Sequence, residues 1–243
     1  MQIDNIYLGD SYKLIKEIPD KSIDLIVTDP PYIGQFDKAK PTGIFKYKSI
    51  KYNNDIINAK IDKGFDLSLL DEFVRVMKKI NIYLWCNKNQ IYDYLTYFVK
   101  ERHCSWEMIV WAKDNPLPFC SGHYLIDKEY CLYFWEQGAY VNPTFKTGKT
   151  VYMTHKNVED KKKYGHPTIK PIKIIENLIA NSSVRGGVIL DPFSGSGTTA
   201  MACKNLDRHY IAFEINEKFY RTSLERLGKQ VEKKEDDVQL SLF

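Results

Sequence analysis

No stretch of this sequence approaches the ~20 consecutive apolar residues of a membrane span. The opening Met1-Gln2-Ile3-Asp4 has neither the basic nor the apolar region of a signal peptide. Both absences point to a cytoplasmic protein without a membrane partner. Five cysteines (Cys86, Cys104, Cys120, Cys131, Cys203) are odd in number and include no C-x-x-C pair. That argues against a disulfide framework and suits free thiols in a reducing compartment. The five histidines show no metal-ligand spacing, so no structural or catalytic metal is expected. At 243 residues, 44% hydrophobic and 27% charged, the chain is sized for one large domain. We read 1–230 as that domain, with loop insertions, and 231–243 as a mobile charged tail.

What is present is unevenly spread. Net charge is only +4, yet residues 34–63 carry seven lysines against three acids, and 144–173 carry eight against two. Aromatics and prolines lie among these lysines: Phe36, Pro41, Phe45, Tyr47 and Tyr52, then Phe145, Tyr152 and Tyr164. Basic stretches interleaved with aromatics suit a phosphate backbone and exposed bases. Solvated lysine-rich loops are the other reading of either stretch taken alone.

Residues 3–10 read as a short strand ending at Gly9-Asp10, and 11–18 as a helical turn or two. Residues 23–27 are an apolar, β-branched run, the mark of a buried strand. The next thirty or so residues, 33–65, lack periodicity, as a functional loop or small lobe would. Helical spacing returns over 69–77, strands are expected at 80–85, 105–112 and 129–135, and a helix at 88–101. Residues 136–165 lose periodicity again. From Pro171 a helix, a strand at 188–190, a helix at 198–206, a strand at 210–213 and a helix at 217–229 follow. Strands alternating with helices predict an α/β fold built on a doubly wound, mostly parallel sheet.

Two motifs stand at strand ends. Thr28-Asp29-Pro30-Pro31-Tyr32 follows the strand at 23–27. The prolines stop the strand, remove two donors and leave the carbonyls of Asp29 and Pro30 free. Asp29 and the Pro30 carbonyl can accept the two N–H groups of a planar exocyclic amine while Tyr32 stacks on its ring. A strand-end acid followed by a proline turn is the plainer reading. The second motif, Asp191-Pro192-Phe193-Ser194-Gly195-Ser196-Gly197-Thr198-Thr199, joins a strand to a helix, the context of a glycine-rich ligand loop. Its spacing is neither that of a P-loop nor that of a dinucleotide fingerprint. Glu214, at the end of the next strand, can take two ribose hydroxyls.

Together these motifs resemble the DNA amino-methyltransferases, which use S-adenosylmethionine to methylate adenine N6 or cytosine N4. D-P-P-Y (Asp29 to Tyr32) and F-x-G-x-G (Phe193 to Gly197) are intact, and His166-Pro167-Thr168-Ile169-Lys170-Pro171 matches a third family motif, H-P-T-x-K-P. The resemblance spans about residues 3–229. The catalytic motif precedes the cofactor motif, as in the family's beta group, which implies a circularly permuted methyltransferase fold. Residues 33–65 then correspond to a loop over the target base, and about 136–165 to the target-recognition region.

The resemblance implies that Asp29, Pro30, Pro31 and Tyr32 form the catalytic turn that grips the base. Asp191, Phe193, Ser194, Gly195, Gly197 and Thr198 would line the methionine end of the cofactor, assisted by His166, Thr168 and Lys170. Glu214 would hold the ribose and Asp10 the adenine. Asp10 as a helix cap and Lys170 as a surface lysine remain open. Cytosine-N4 members usually carry Ser in place of Asp29, so adenine is the implied target; cytosine, RNA and a protein amide are the alternatives, as is a non-catalytic DNA-binding module. Gln239-Leu240-Ser241-Leu242-Phe243 resembles the peptide by which bacterial replication and repair proteins hold the sliding clamp, or else packs on its own domain. The implied setting is a bacterial or phage-encoded, nucleoid-associated enzyme, monomeric or homodimeric.

Overall fold

The computed structural model describes residues 1–32, 64–116, 124–155, 157–165 and 168–230. In chain order these form β1 (Asn5–Leu8), α1 (Ser11–Leu14) with a 3-10 turn (Ile15–Glu17), β2 (Leu25–Thr28), α2 (Leu69–Val76) and β3 (Asn81–Cys86). Next come α3 (Ile91–Leu95) with a π-helical turn (Thr96–Lys100), β4 (Ser105–Lys113), β5 (Lys128–Trp135), β6 (Val151–Thr154) and α4 (Val158–Tyr164). The chain closes with α5 (Ile172–Ser182), β7 (Val188–Asp191), α6 (Thr198–Asn205), β8 (His209–Glu214) and α7 (Glu217–Arg226).

The eight strands make one sheet in the order β1-β8-β7-β2-β3-β5-β4-β6. All pairings are parallel except those of β5, which runs against both β3 and β4. The central strands read as unbroken apolar runs because both faces are covered. Their side chains divide by the period of two. Leu25, Val27, Tyr83, Trp85, Cys131 and Tyr133 join the layer under α5, α6 and α7. Ile26, Ile82, Leu84, Leu132 and Phe134 join the layer under α1, α2 and α3. In β3 all six residues are buried.

The doubly wound sheet expected from the sequence is present, and the expected strands and helices fall within a few residues of those observed. Two elements were not legible. Residues 136–165 carry β6 and α4, although no period marks them. β6 is an outer strand paired only to β4, with Val151 and Met153 exposed, so no buried face imposes an apolar pattern on it. Residues 33–63, nearly all of the loop assigned to the target base, lie outside the described residues, as do Cys120, His166, Pro167 and 231–243. The ends of the 33–63 segment are described: Gly64 N donates to the Tyr32 carbonyl at 3.3 Å, so the segment departs and returns at one point. The other four cysteines are buried free thiols.

A buried polar post supports the sheet beneath the site. Asn81, 1% exposed, donates through Nδ2 to the carbonyls of Asp24 (3.1 Å) and Ser182 (2.9 Å) and accepts from the Tyr133 hydroxyl (2.9 Å). It joins β3, β5, the entry to β2 and the end of α5. Asn81→Ala strands the buried Ser182 carbonyl and the part-buried Asp24 carbonyl, and is expected to cost about 2–4 kcal/mol of stability. A urea titration checks this; an unchanged midpoint contradicts the role.

Candidate active site

Five parallel strands deliver their carboxyl ends to one edge of the sheet: β1, β8, β7, β2 and β3. In such folds ligands bind there. A cleft of about 1530 Å³ opens at that edge, bordered by both motifs. Asp29 follows β2, Asp191 ends β7 and Glu214 ends β8. The two motifs, remote in sequence, are joined directly: the Thr28 hydroxyl donates to Asp191 Oδ1 at 2.8 Å, between neighbouring strands.

The turn after β2 is held from outside the motif. Gln90, 3% exposed, donates from Nε2 to the Pro31 carbonyl at 3.2 Å. No described residue donates to the Pro30 carbonyl. Asp29 Oδ2 pairs with the Lys170 ammonium, whereas Oδ1 is buried without a partner. Lys170 also meets Glu129 at 3.0 Å, and Glu129 meets Lys113 at 2.5 Å. The result is a file of alternating charges: Asp29, Lys170, Glu129, Lys113. Glu129 reaches this edge because β5 is reversed, so its amino end lies beside the carboxyl ends of its neighbours.

Burial pushes the Asp29 carboxyl above its usual value, and the Lys170 ammonium opposes that push. Burial also disfavours the Lys170 charge, but Asp29 and Glu129 outweigh it and hold the ammonium above its ordinary value. Burial works against ionised Glu129 too; the ammoniums of Lys170 and Lys113 overcome it and bring Glu129 down to about 2. Lys170 lies 5.4 Å from the Tyr32 ring centroid and 5.1 Å from that of Trp85.

On the other side of the cleft the glycine loop is shaped by positive φ at Gly195 (52°) and Gly197 (75°). A Cβ at Gly197 would lie 2.9 Å from Ser223 Cβ of α7, so conformation and packing both demand glycine there. Glu214 accepts from Gly195 N and Asn216 N, each at 2.7 Å, and burial pushes it up to about 7. Asp191 accepts from Phe193 N at 3.1 Å besides Thr28, and burial pushes it up to about 6. The Phe193 ring packs on Phe65 at 5.6 Å, which brings the far end of the 33–65 segment onto the glycine loop.

Asp10, Thr168, Ser194, Gly195 and Thr198 line the same cleft, as the sequence anticipated. Asp10 serves as well as the cap of α1, accepting from Tyr12 N at 3.0 Å. Lys170 departs from expectation: its ammonium sits on Asp29 and Glu129, at the turn after β2. Thr198 also differs, since its hydroxyl accepts from Arg226 Nη1 at 2.8 Å. Arg226, Gln90, Glu129 and Lys113 were not singled out from sequence. Glu129 opens an expected strand, but only the reversed direction of that strand makes it part of the site.

Four buried side-chain polar atoms lack a hydrogen-bond partner among the described residues: Asp29 Oδ1, the Tyr32 hydroxyl, Trp85 Nε1 and Ser194 Oγ. All four residues border this cleft. Buried polar groups are otherwise nearly always satisfied, so their gathering marks a ligand surface.

Comparisons with known proteins show the family and the fold. A family model described as DNA methylase matches residues 23–225. The chain is 26% identical to the type II methyltransferase M.HinfI of Haemophilus influenzae, over 98% of this chain and 72% of that one. It is 28% identical to M2.LlaDCHI of Lactococcus lactis subsp. cremoris, over 91% and 88%. Among solved structures it resembles the M1.HpyAVI–SAM complex with a TM-score of 0.67 at 25% identity, covering 92% of this chain and 98% of that one. The cytosine-N4-specific PvuII DNA methyltransferase, 17% identical, has a TM-score of 0.66 over 97% of this chain and 89% of its own, a likeness of fold.

Glu214 and Asp191 bind their protons more tightly folded than unfolded. Stability therefore falls as pH rises, from the usual 4.5 to about 7 for Glu214 and from 3.8 to about 6 for Asp191. The Glu214 share amounts to up to about 3 kcal/mol. Thermal unfolding of the unliganded protein between pH 5 and 7.5 is expected to show a falling midpoint; a midpoint that rises or stays flat contradicts it.

Proposed function

This chain belongs to the DNA methylase family, whose methyl donor is S-adenosylmethionine, and we propose that it methylates the N6 amine of an adenine turned out of DNA at a specific sequence. One observation carries the reading: Asp29, which holds a buried and unpartnered Oδ1, borders the same cleft as the glycine loop, and its neighbour Pro30 has a carbonyl to which no described residue donates.

The residues present fit the cofactor. The unpartnered Ser194 Oγ and the loop backbone at Gly195 suit its methionine end, with Phe193, Thr168 and Thr198 around them, while Gly197 is not among the lining residues and packs on Ser223 and Ile6. Glu214 suits the ribose and Asp10 the adenine. Bound there, the cofactor supplies an electrophilic methyl group carried on a sulfonium.

The chain's own residues do the rest. Asp29 Oδ1 accepts one N–H of the target amine and the Pro30 carbonyl accepts the other. Two acceptors at that geometry draw the nitrogen lone pair out of conjugation with the ring. Tyr32 stacks on the base and replaces the stacking lost when it leaves the duplex. The catalytic effect is positioning and fixed electrostatics. Once methylated, the amine is cationic and strongly acidic. Asp29, whose other carboxylate oxygen pairs with Lys170, is the base in contact with it.

Residues 136–165 suit the role of DNA contact: Lys146, Lys149, Lys162 and Lys163 are exposed, and Phe145 stands fully in solvent among them. Asp29, where cytosine-N4 members usually carry Ser, favours adenine. The type II names of the relatives support a restriction-modification setting, and the buried free thiols a reducing one. The 239–243 peptide supports a tether to the sliding clamp.

Asp29→Ala is expected to bind S-adenosylmethionine as the wild type does and to lose methyl transfer by about 10²–10³-fold or more. Labelled methyl transfer to DNA, followed by nucleoside identification, checks both the role and the base; label appearing on cytosine, RNA or protein overturns the adenine reading. Deleting 239–243 is expected to abolish retention on immobilised sliding clamp while leaving methyl transfer intact. Undiminished retention rejects the tether.

A further inference from the structure

The position of Lys170 calls for more than neutralisation. An ammonium carries three N–H donors in a tetrahedral fan. Lys170, with only 4% of its side chain exposed, spends one on Asp29 Oδ2 and one on Glu129 Oε2. The third has no hydrogen-bond or ion-pair partner among the described residues; the ring centroids of Tyr32 and Trp85 lie 5.4 and 5.1 Å from the ammonium. Lys170 lines the cleft, close to the ring of Tyr32, and its neighbour Asp29 holds an unpartnered acceptor. The residues that hold this acceptor and this donor thus stand side by side at the cleft, and two carboxylates, one after β2 and one in β5, fix the donor.

That pair is the complement of one kind of base edge. Adenine presents an amine and, next to it on the Watson–Crick edge, the bare ring nitrogen N1. Guanine and thymine present a carbonyl flanked by a ring N–H, the reverse order. A keto base here would face a carboxylate with its carbonyl and an ammonium with its N–H, two repulsive contacts at once. Sites built to pair a polar group reject analogues that leave it unpaired.

We propose that Lys170 reads the ring nitrogen beside the target amine, donating the N–H that the protein leaves unused, with Glu129 as the positioning residue that holds the ammonium in place. This deepens the reading of the preceding subsection and rests on it. The contact is made to the bound base rather than created by the reaction, so it acts on which base is accepted more than on the speed of transfer.

The first arm of the test changes the DNA and leaves the protein as it is. Duplexes carrying the recognition sequence, mapped by sequencing methylated DNA, are made with adenine, 1-deazaadenine or 7-deazaadenine at the target position. Replacing N1 with C–H removes the acceptor and keeps the amine; replacing N7 alters the other side of the ring. Loss of kcat/KM by about tenfold or more is expected with 1-deazaadenine, and a change within about threefold with 7-deazaadenine. Equal turnover of 1-deazaadenine and adenine overturns the proposal and leaves the methyltransferase reading standing. Equal loss with both analogues also overturns it. Failure to methylate the unmodified adenine duplex overturns the underlying reading and this proposal with it. In Glu129→Ala, verified as folded by circular dichroism, the gap between adenine and 1-deazaadenine is expected to shrink. A gap that persists in full rejects the positioning role of Glu129.

Discussion

The site depends on one buried ammonium. Asp29 lies at a strand end beside a second carboxylate, Glu129, and burial pushes its carboxyl above the usual value. Lys170, set between the two, reverses the balance for Glu129 and opposes it for Asp29. Removing one partner from such a set leaves an uncompensated charge, which costs far more than the pair contributes to stability. Lys170 comes from the segment that leads into α5, so the carboxylate of the turn after β2 is paired by a residue 141 positions away in the chain. The arrangement makes chemical sense only when that segment is docked.

The sheet explains why these groups meet. Parallel pairing aligns the carboxyl ends of β1, β8, β7, β2 and β3 on one edge. Thr28 and Asp191 then tie the turn after β2 to the glycine loop after β7 at the point where the two strands pair. The reversal of β5 contributes what parallel strands could not, since it places the start of a strand at an edge otherwise made of strand ends. Glu129 arrives that way, and Lys113 at the end of β4 neutralises it from the other side. Gln90 holds the Pro31 carbonyl, which leaves the Pro30 carbonyl turned to other use.

Much of this was legible in order along the chain. The run 23–27, the turn at Asp29 to Tyr32 and the glycine loop after 188–190 are local signals, and each maps onto the element it foretold. The second lysine-rich stretch kept its polarity but hid two elements, β6 and α4, because neither buries a face continuous enough to leave a period. Lys170 was noticed for its motif and assigned to the cofactor; its contacts are with Asp29 and Glu129. Gln90 and Arg226 left no signal, since a buried amide and a helix-end arginine look alike wherever they are used.

The sequence by itself determined which segments form strands and helices, where the chain must turn, and which chemical groups stand at strand ends. Those follow from short-range sterics and from the periods of burial, which neighbouring residues carry. Only the tertiary structure decided the direction of β5, the meeting of Lys170 with Asp29 and Glu129, and the gathering of four unsatisfied polar atoms around one cleft. These depend on contacts between residues far apart in sequence, and on water being excluded from the space between them, which no local pattern encodes.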